Sequence, residues 1–245
     1  MTYNSTYNIL TYKVFSGELD GISPAKKQTI NTINPHSYVV AKKDKVFREA
    51  LQDSDILLPD GIGIVMANRL LNKTHIKKIA GSDIHMHLLS EINKTGGKCF
   101  YLGASEKTLQ KINERLKRDF PTIKAAYYSP PFKKDFSDAD NEKMITAINN
   151  FNPDVLFVGM TAPKQEKWVH LHKQEINAKI ICSIGAVFDF FSGTKKRPGK
   201  FWIAIGLEFL PRFLKEPKRL WQRNFVSTPL FIIDVLKSRV NKNSP

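Results

Sequence analysis

Nine consecutive residues hold the densest chemistry in this sequence: Leu57-Leu58-Pro59-Asp60-Gly61-Ile62-Gly63-Ile64-Val65. A single carboxylate, Asp60, stands between residues 56–58, which read as the end of a short buried strand, and residues 62–71, which carry helical spacing. Gly61 and Gly63 allow another molecule to approach the backbone closely. In an open α/β sheet, ligands bind in the crevice beyond the carboxyl ends of the strands. A carboxylate placed there can act as a general base or hold a sugar hydroxyl, beside a helix N-terminus that favours anionic groups. The same residues also suit a plain turn in which Asp60 only caps the helix.

Other strand ends carry similar groups. Thr32 and Asn34 fall where a strand (residues 28–33) gives way to a helix, which suits capping or ligand contact. In Lys77-Lys78-Ile79-Ala80-Gly81-Ser82-Asp83, Ser82 or Asp83 can cap the helix that follows. Gly103 closes another strand. In Gly159-Met160-Thr161-Ala162-Pro163-Lys164-Gln165-Glu166-Lys167-Trp168, Pro163 suits a first helical position and Gln165 and Glu166 fall in the first turn. A third stretch, from Gly185 to Gly193, sets Asp189 between aromatic residues of which Phe188 and Phe191 read as core.

Several chemistries are disfavoured. Gly61-Ile62-Gly63 lacks the third glycine of the dinucleotide fingerprint, and there is no Walker A pattern. The acid pairs Asp53/Asp55 and Asp138/Asp140 sit where acids punctuate helix ends. His85/His87 and His170/His172 are spaced two apart on expected helices, so they diverge. No metal site and no cofactor are expected. Cys99 and Cys182 lie in apolar runs and lack disulfide or metal spacing.

The elements that must position these groups alternate. Strands are expected over 28–33, 56–58, 98–102, 123–127, 154–158 and 180–184, and helices over 36–51, 62–71, 82–93, 106–119 and 138–150. Such alternation means βαβ units and a largely parallel sheet, an α/β fold. Residues before 28 show no clear pattern.

The 245 residues suit one large α/β domain with an appendage, divided here into a core over 1–194 and a basic appendage over 195–245. A hydrophobic share of 42% is enough for a substantial core. The net charge of +15 is uneven: from residue 195 onward there are 12 Lys or Arg against 3 acids. That imbalance implies an anionic partner. Residues 201–214 and 220–236 interleave Trp, Phe, Leu and Ile with Lys and Arg as an interfacial helix does, although the same apolar residues could dock on the core. A basic nucleic-acid-binding module would explain the charge, but not acids and amides gathered at strand ends, so no nucleic-acid partner is expected. Without a secretory pattern or an apolar run of membrane-spanning length, the expected location is cytoplasmic, against the inner face of a membrane.

Six motifs together resemble the WecG/TagA/CpsF glycosyltransferases, in that family's order. They are Thr32-Ile33-Asn34-Pro35, Leu58-Pro59-Asp60-Gly61-Ile62-Gly63, Gly81-Ser82-Asp83, Ala162-Pro163-Lys164-Gln165-Glu166-Lys167-Trp168, Gly185-Ala186-Val187-Phe188-Asp189, and the run from Leu207 to Arg219 that includes Glu208-Phe209-Leu210-Pro211-Arg212. The resemblance implies a Rossmann-like core and an inverting, metal-independent transfer from a UDP-sugar, with N-acetylmannosamine the first-choice sugar. The implied acceptor is a GlcNAc-type sugar linked through diphosphate to undecaprenol, and self-association is plausible. It also implies Asp60 as base, with Thr32, Asn34, Gly61, Gly63, Lys78, Asp83, Gly103, Gln165, Glu166, Gly185 and Asp189 lining the substrate site. Arg212, Arg219 and Arg223 would meet the lipid diphosphate. The sequence departs from the family pattern at Lys78, where arginine is common and would grip phosphate with two donors. Arg197-Pro198-Gly199-Lys200-Phe201 and Phe209 also depart from it.

Overall fold

The computed structural model describes residues 5–195 and 221–243. A short hairpin, β1 (Thr6–Ile9) and β2 (Tyr12–Phe15), precedes a six-stranded sheet. The sheet strands are β3 (Gln28–Ile33), β4 (Ile56–Pro59), β5 (Lys98–Gly103), β6 (Lys124–Tyr128), β7 (Val155–Gly159) and β8 (Ile180–Ser183). Their spatial order is β4-β3-β8-β7-β5-β6, and every neighbouring pair is parallel. This is the α/β architecture that the alternation of periods implied.

The helices are α1 (Pro35–Lys43), α2 (Lys45–Gln52), α3 (Ile62–Asn72), α4 (Gly81–Thr95), α5 (Glu106–Asp119), α6 (Asp138–Phe151), α7 (Lys164–His172) and α8 (Ala186–Phe191). Alternate residues of a strand feed opposite layers, as the pleat requires. In β5, Cys99 and Tyr101 join a cluster with Leu88, Ile112 and Phe188 of α4, α5 and α8. Phe100 and Leu102 join another with Met144, Ile148 and Trp168 of α6 and α7. Parallel strands covered on both faces put all their carboxyl ends on one side, where Asn34, Asp60, Gly103, Met160 and Gly185 emerge.

Two local features differ from the sequence reading. The single helix expected over 36–51 is two helices, because Asp44 is extended (φ −119°) and its side chain accepts from Phe47 N–H to cap α2. The unpatterned N-terminus is the hairpin, which buries Ile9, Tyr12, Val14 and Phe15.

At the other end of the chain, a π-helical turn (Gln222–Ser227) leads into α9 (Thr228–Asn243). Phe231 and Val235 of α9 are buried in one cluster with Tyr38 of α1, Ile64 and Ala67 of α3 and the hairpin. Asp234 of α9 accepts from Tyr38 OH at 3.0 Å and Lys42 Nζ at 2.6 Å. The outward side of the same helix exposes Leu230, Ile232, Ile233, Leu236 and Val240. Thus α9 docks on the core with one set of apolar residues and shows solvent another. Among the described residues, no helix is long and apolar enough to cross a membrane. The expected helical stretch over 201–214, with Arg212, and Arg219 lie outside the described residues.

Candidate active site

The site begins where β3 and β4 end. Their register pairs Thr32 with Leu58 and Ile33 with Pro59, so Asn34 and Asp60 leave the sheet side by side. Asp60 N–H donates to the Ile33 carbonyl (2.9 Å), and Ile79 N–H donates to the Pro59 carbonyl (3.0 Å). The second bond draws the segment carrying Lys78 against the end of β4. Thr32 and Asp60 are half-buried there.

The N-cap of α3 is Gly61, not Asp60, and no side chain caps that helix. This removes the plain capping role for Asp60 and leaves its carboxylate beside a helix terminus that carries partial positive charge. Gly61 has φ +99° and ψ 152°, a conformation essentially confined to glycine, and a Cβ there would meet nothing within 4 Å among the described residues. Gly63 serves differently: a Cβ would lie 2.7 Å from Cγ of Pro35. Its missing side chain lets the starts of α1 and α3 close on each other.

Asn34 is the N-cap of α1. Its Oδ1 accepts from His36 N–H (3.1 Å) and Ser37 N–H (3.0 Å), while Asn34 N–H donates to Ser37 Oγ (2.8 Å). Its Nδ2 takes no partner among the described residues. Asp83 braces the start of α4, accepting from Ala80 N–H at 2.9 Å. Two helix N-termini therefore meet at Asp60, with Lys78 at the edge.

The C-terminal segment reaches the same place. His36 Nδ1 lies 2.9 Å from Ser227 Oγ, and burial, then the Arg223 guanidinium, hold the His36 imidazole below the usual histidine range. Arg223 thus stands beside the first turn of α1, next to the Asn34 cap. The sequence reading singled out Arg223 but not His36 or Ser227. His36 directly follows Thr32-Ile33-Asn34-Pro35, and that adjacency was the available signal.

The ends of β5, β7 and β8 look different. Gln165 is buried, and its Oε1 accepts from both Met160 N–H and Gly185 N–H at 3.1 Å each. Its Nε2 donates to Glu166 Oε1 at 2.8 Å. Glu166 is 3% exposed, its Oε2 has no hydrogen-bond partner among the described residues, and burial pushes its carboxyl up to about 7. Gly185 has a packing reason to be glycine, since a Cβ would lie 2.5 Å from the Met160 carbonyl oxygen. Gly103 (φ +114°) has a stronger one, a Cβ there falling 2.4 Å from the Gly159 carbonyl oxygen. Gly159 in turn lies under the Phe188 ring. Asp189, on the one-and-a-half-turn α8, is ion-paired with Lys195 at 3.1 Å.

The sequence-derived residues therefore separate into two groups. Thr32, Asn34, Asp60, Gly61, Gly63, Lys78, Asp83 and Arg223 gather at the β3–β4 junction. Gln165, Glu166, Gly185 and Asp189 gather around the β7–β8 junction, and Gly103 joins them through Gly159. The strand β8 lies between β3 and β7, so both groups stand at the same end of the sheet, with Gln165 and Glu166 buried there. A carboxylate between helix N-termini and cations can take a proton from a hydroxyl while the positive ends stabilise an anionic leaving group.

Comparison with known proteins agrees with that chemistry. The chain is 34% identical over 215 residues to the N-acetylglucosaminyldiphosphoundecaprenol N-acetyl-beta-D-mannosaminyltransferase of Bacillus subtilis (strain 168), covering 88% of this chain and 81% of that protein. The protein of the same name from Bacillus spizizenii is 34% identical over 85% of this chain and 78% of its own length. The one from Staphylococcus aureus (strain MW2) is 26% identical over 86% and 80%. The family model described as "Glycosyl transferase WecG/TagA/CpsF family" matches residues 3–245, and the chain belongs to that family.

Proposed function

We propose that this protein transfers N-acetylmannosamine from a UDP-sugar, with inversion, to a GlcNAc-type sugar carried on undecaprenyl diphosphate, a step in building a cell-surface polymer. The reading is carried by the register of β3 and β4, which sets Asp60 beside Asn34 where α1 and α3 begin. The relatives' names supply the sugar and the acceptor, and the UDP carrier follows from the family resemblance. In this reading Asp60 accepts the proton of the acceptor hydroxyl as the new bond forms at the anomeric carbon and UDP leaves from the opposite face. An ordinary aspartate is a weak base, so proton transfer accompanies bond formation rather than preceding it. The leaving diphosphate is stabilised by helix N-termini and by Lys78, without a metal ion. Thr32 and the Nδ2 of Asn34 orient the sugars, and Asp189 lies toward the nucleotide. Arg223, with Arg212 and Arg219, takes the diphosphate of the lipid.

The test is release of UDP from a panel of UDP-sugars with a short-chain polyprenyl-diphosphate-GlcNAc acceptor. UDP-N-acetylmannosamine is expected to turn over fastest, ahead of its uronic acid, UDP-glucuronic acid and UDP-glucose. Asp60→Asn is expected to lower kcat by about 10² to 10⁴ with folding intact, the usual worth of a positioned base. Unchanged turnover in that variant would exclude Asp60 as the base.

The outward face of α9 supports a peripheral membrane location. It combines Leu230, Ile232, Ile233, Leu236 and Val240 with Lys237 and Arg239, the pattern of a helix that lies in an anionic interface. Ile233→Asp is expected to abolish co-flotation of the full chain with anionic vesicles, and retained flotation would count against that face.

A further inference from the structure

Glu166 presents a chemical puzzle. It is a carboxyl buried in the interior at the start of α7, with one oxygen accepting from Gln165 Nε2 and the other without a hydrogen-bond partner among the described residues. Burying such a group is unfavourable, and an apolar side chain of similar volume is often as stable or more so. What the carboxyl does hold is its neighbour, Gln165. A side-chain amide is nearly symmetric in shape, and its two ends are told apart only by their partners. Gln165 faces two backbone N–H groups, of Met160 and Gly185, and must turn its oxygen toward them. A carboxyl oxygen accepting from Nε2 on the other side holds that orientation. Flipped, the amide would set donor against donor at the ends of two strands.

We propose that Glu166 is a positioning residue for the donor side of the site, fixing the Gln165 amide and through it the spacing of the β7 and β8 ends. The consequence reaches substrate because the contacts are tight. A Cβ on Gly185 would lie 2.7 Å from Gln165 Oε1, and α8, which carries Asp189, begins at the next residue. Any shift of the amide therefore moves the start of α8 and the Asp189 carboxylate. Glu166 touches no substrate in this scheme, and it acts only through Gln165. The inference rests on the proposed function in one respect, that the nucleotide of the donor lies along these strand ends.

The experiment compares Glu166→Met with Glu166→Gln in the full chain. It measures kcat and KM for the UDP-sugar, KM for the acceptor, the Kd of UDP by calorimetry, and Tm. Glu166→Met removes the acceptor, and donor KM and UDP Kd are expected to rise about tenfold, with acceptor KM within twofold and Tm not lowered. Glu166→Gln keeps an acceptor oxygen and is expected to restore donor KM and UDP Kd to within twofold of wild type. Unchanged donor KM in Glu166→Met overturns the proposal, as does a Glu166→Gln variant as impaired as Glu166→Met. Failure of Glu166→Met and Glu166→Leu to fold, while Glu166→Gln folds with wild-type constants, also overturns it, because Glu166 would then hold the fold and not the donor. A wild-type chain that neither binds UDP nor turns over a UDP-sugar defeats the functional reading instead.

Discussion

At the ends of β3 and β4, backbone bonds do most of the holding. The Asp60 and Ile79 amides pin the strand ends, Gly61 caps α3 without a side chain, and none of the described residues stands within 4 Å of where its Cβ would be. At the ends of β5, β7 and β8, side chains and missing side chains do the holding. Gln165 bridges two strands, Glu166 sits behind it, and Gly103, Gly159 and Gly185 each make room for a neighbour closer than a Cβ allows. Both junctions are rich in glycine and polar residues, and in the sequence they look alike. One is held mostly by backbone and the other is interlocked. A polar residue in a motif can therefore be the reacting group or the brace that keeps the reacting group in place, and only packing tells which.

Three measurements probe that contrast. The largest expected effect is on stability: Gly103→Ala is expected to cost more than about 3 kcal/mol, combining a glycine-only φ with a backbone collision, while Gly61→Ala costs about 1–3 kcal/mol from strain alone. Chemical denaturation of the two variants checks this, and equal losses would erase the distinction between the junctions.

The second concerns Glu166 and pH. Its folded pKa of about 7 lies above its ordinary 4.5, so the folded state holds the proton more tightly than the unfolded chain. That contribution to stability is complete below the unfolded value and is lost as pH rises through about 7. The full difference is about 3 kcal/mol. Glu166→Gln, which stays neutral, should thus gain Tm relative to wild type between pH 5 and pH 9, and a difference that does not change with pH would contradict a brace buried in its neutral form.

The smallest stability effect belongs to the β3–β4 junction. Asn34→Asp keeps the oxygen that caps α1 and exchanges only the Nδ2 donor, and asparagine and aspartate cap equally well. Its Tm is expected to match wild type while UDP-sugar turnover falls at least tenfold. Full activity in this variant would reduce Asn34 to a cap.

Much of this was legible from local pattern. The strand over Gln28–Ile33 and the helix over Glu106–Asp119 fall where periodicity and caps place them, because each spacing reports which side of a local element is buried. The break at Asp44 was not legible, since the apolar spacing runs through it and only an Asp side chain turned onto Phe47 N–H ends one helix and starts the next. The hairpin was missed because four-residue strands are too short to show alternation above the surrounding polar residues.

The sequence by itself determined the α/β class and the basic C-terminal fifth, and it pointed to the strand ends as candidate sites. Tertiary structure decided which of those ends meet. Parallel pairing of β3 with β4 sets Asp60 beside Asn34, and β8 inserts between β3 and β7 although it comes last in the chain. Docking of α9 brings Ser227 onto His36 across 191 residues and carries Arg223 to the α1 cap. The reason is physical: periodicity records whether a residue faces inward, whereas partners depend on strand order and on which apolar faces cover each other, and these are settled only when the whole core closes.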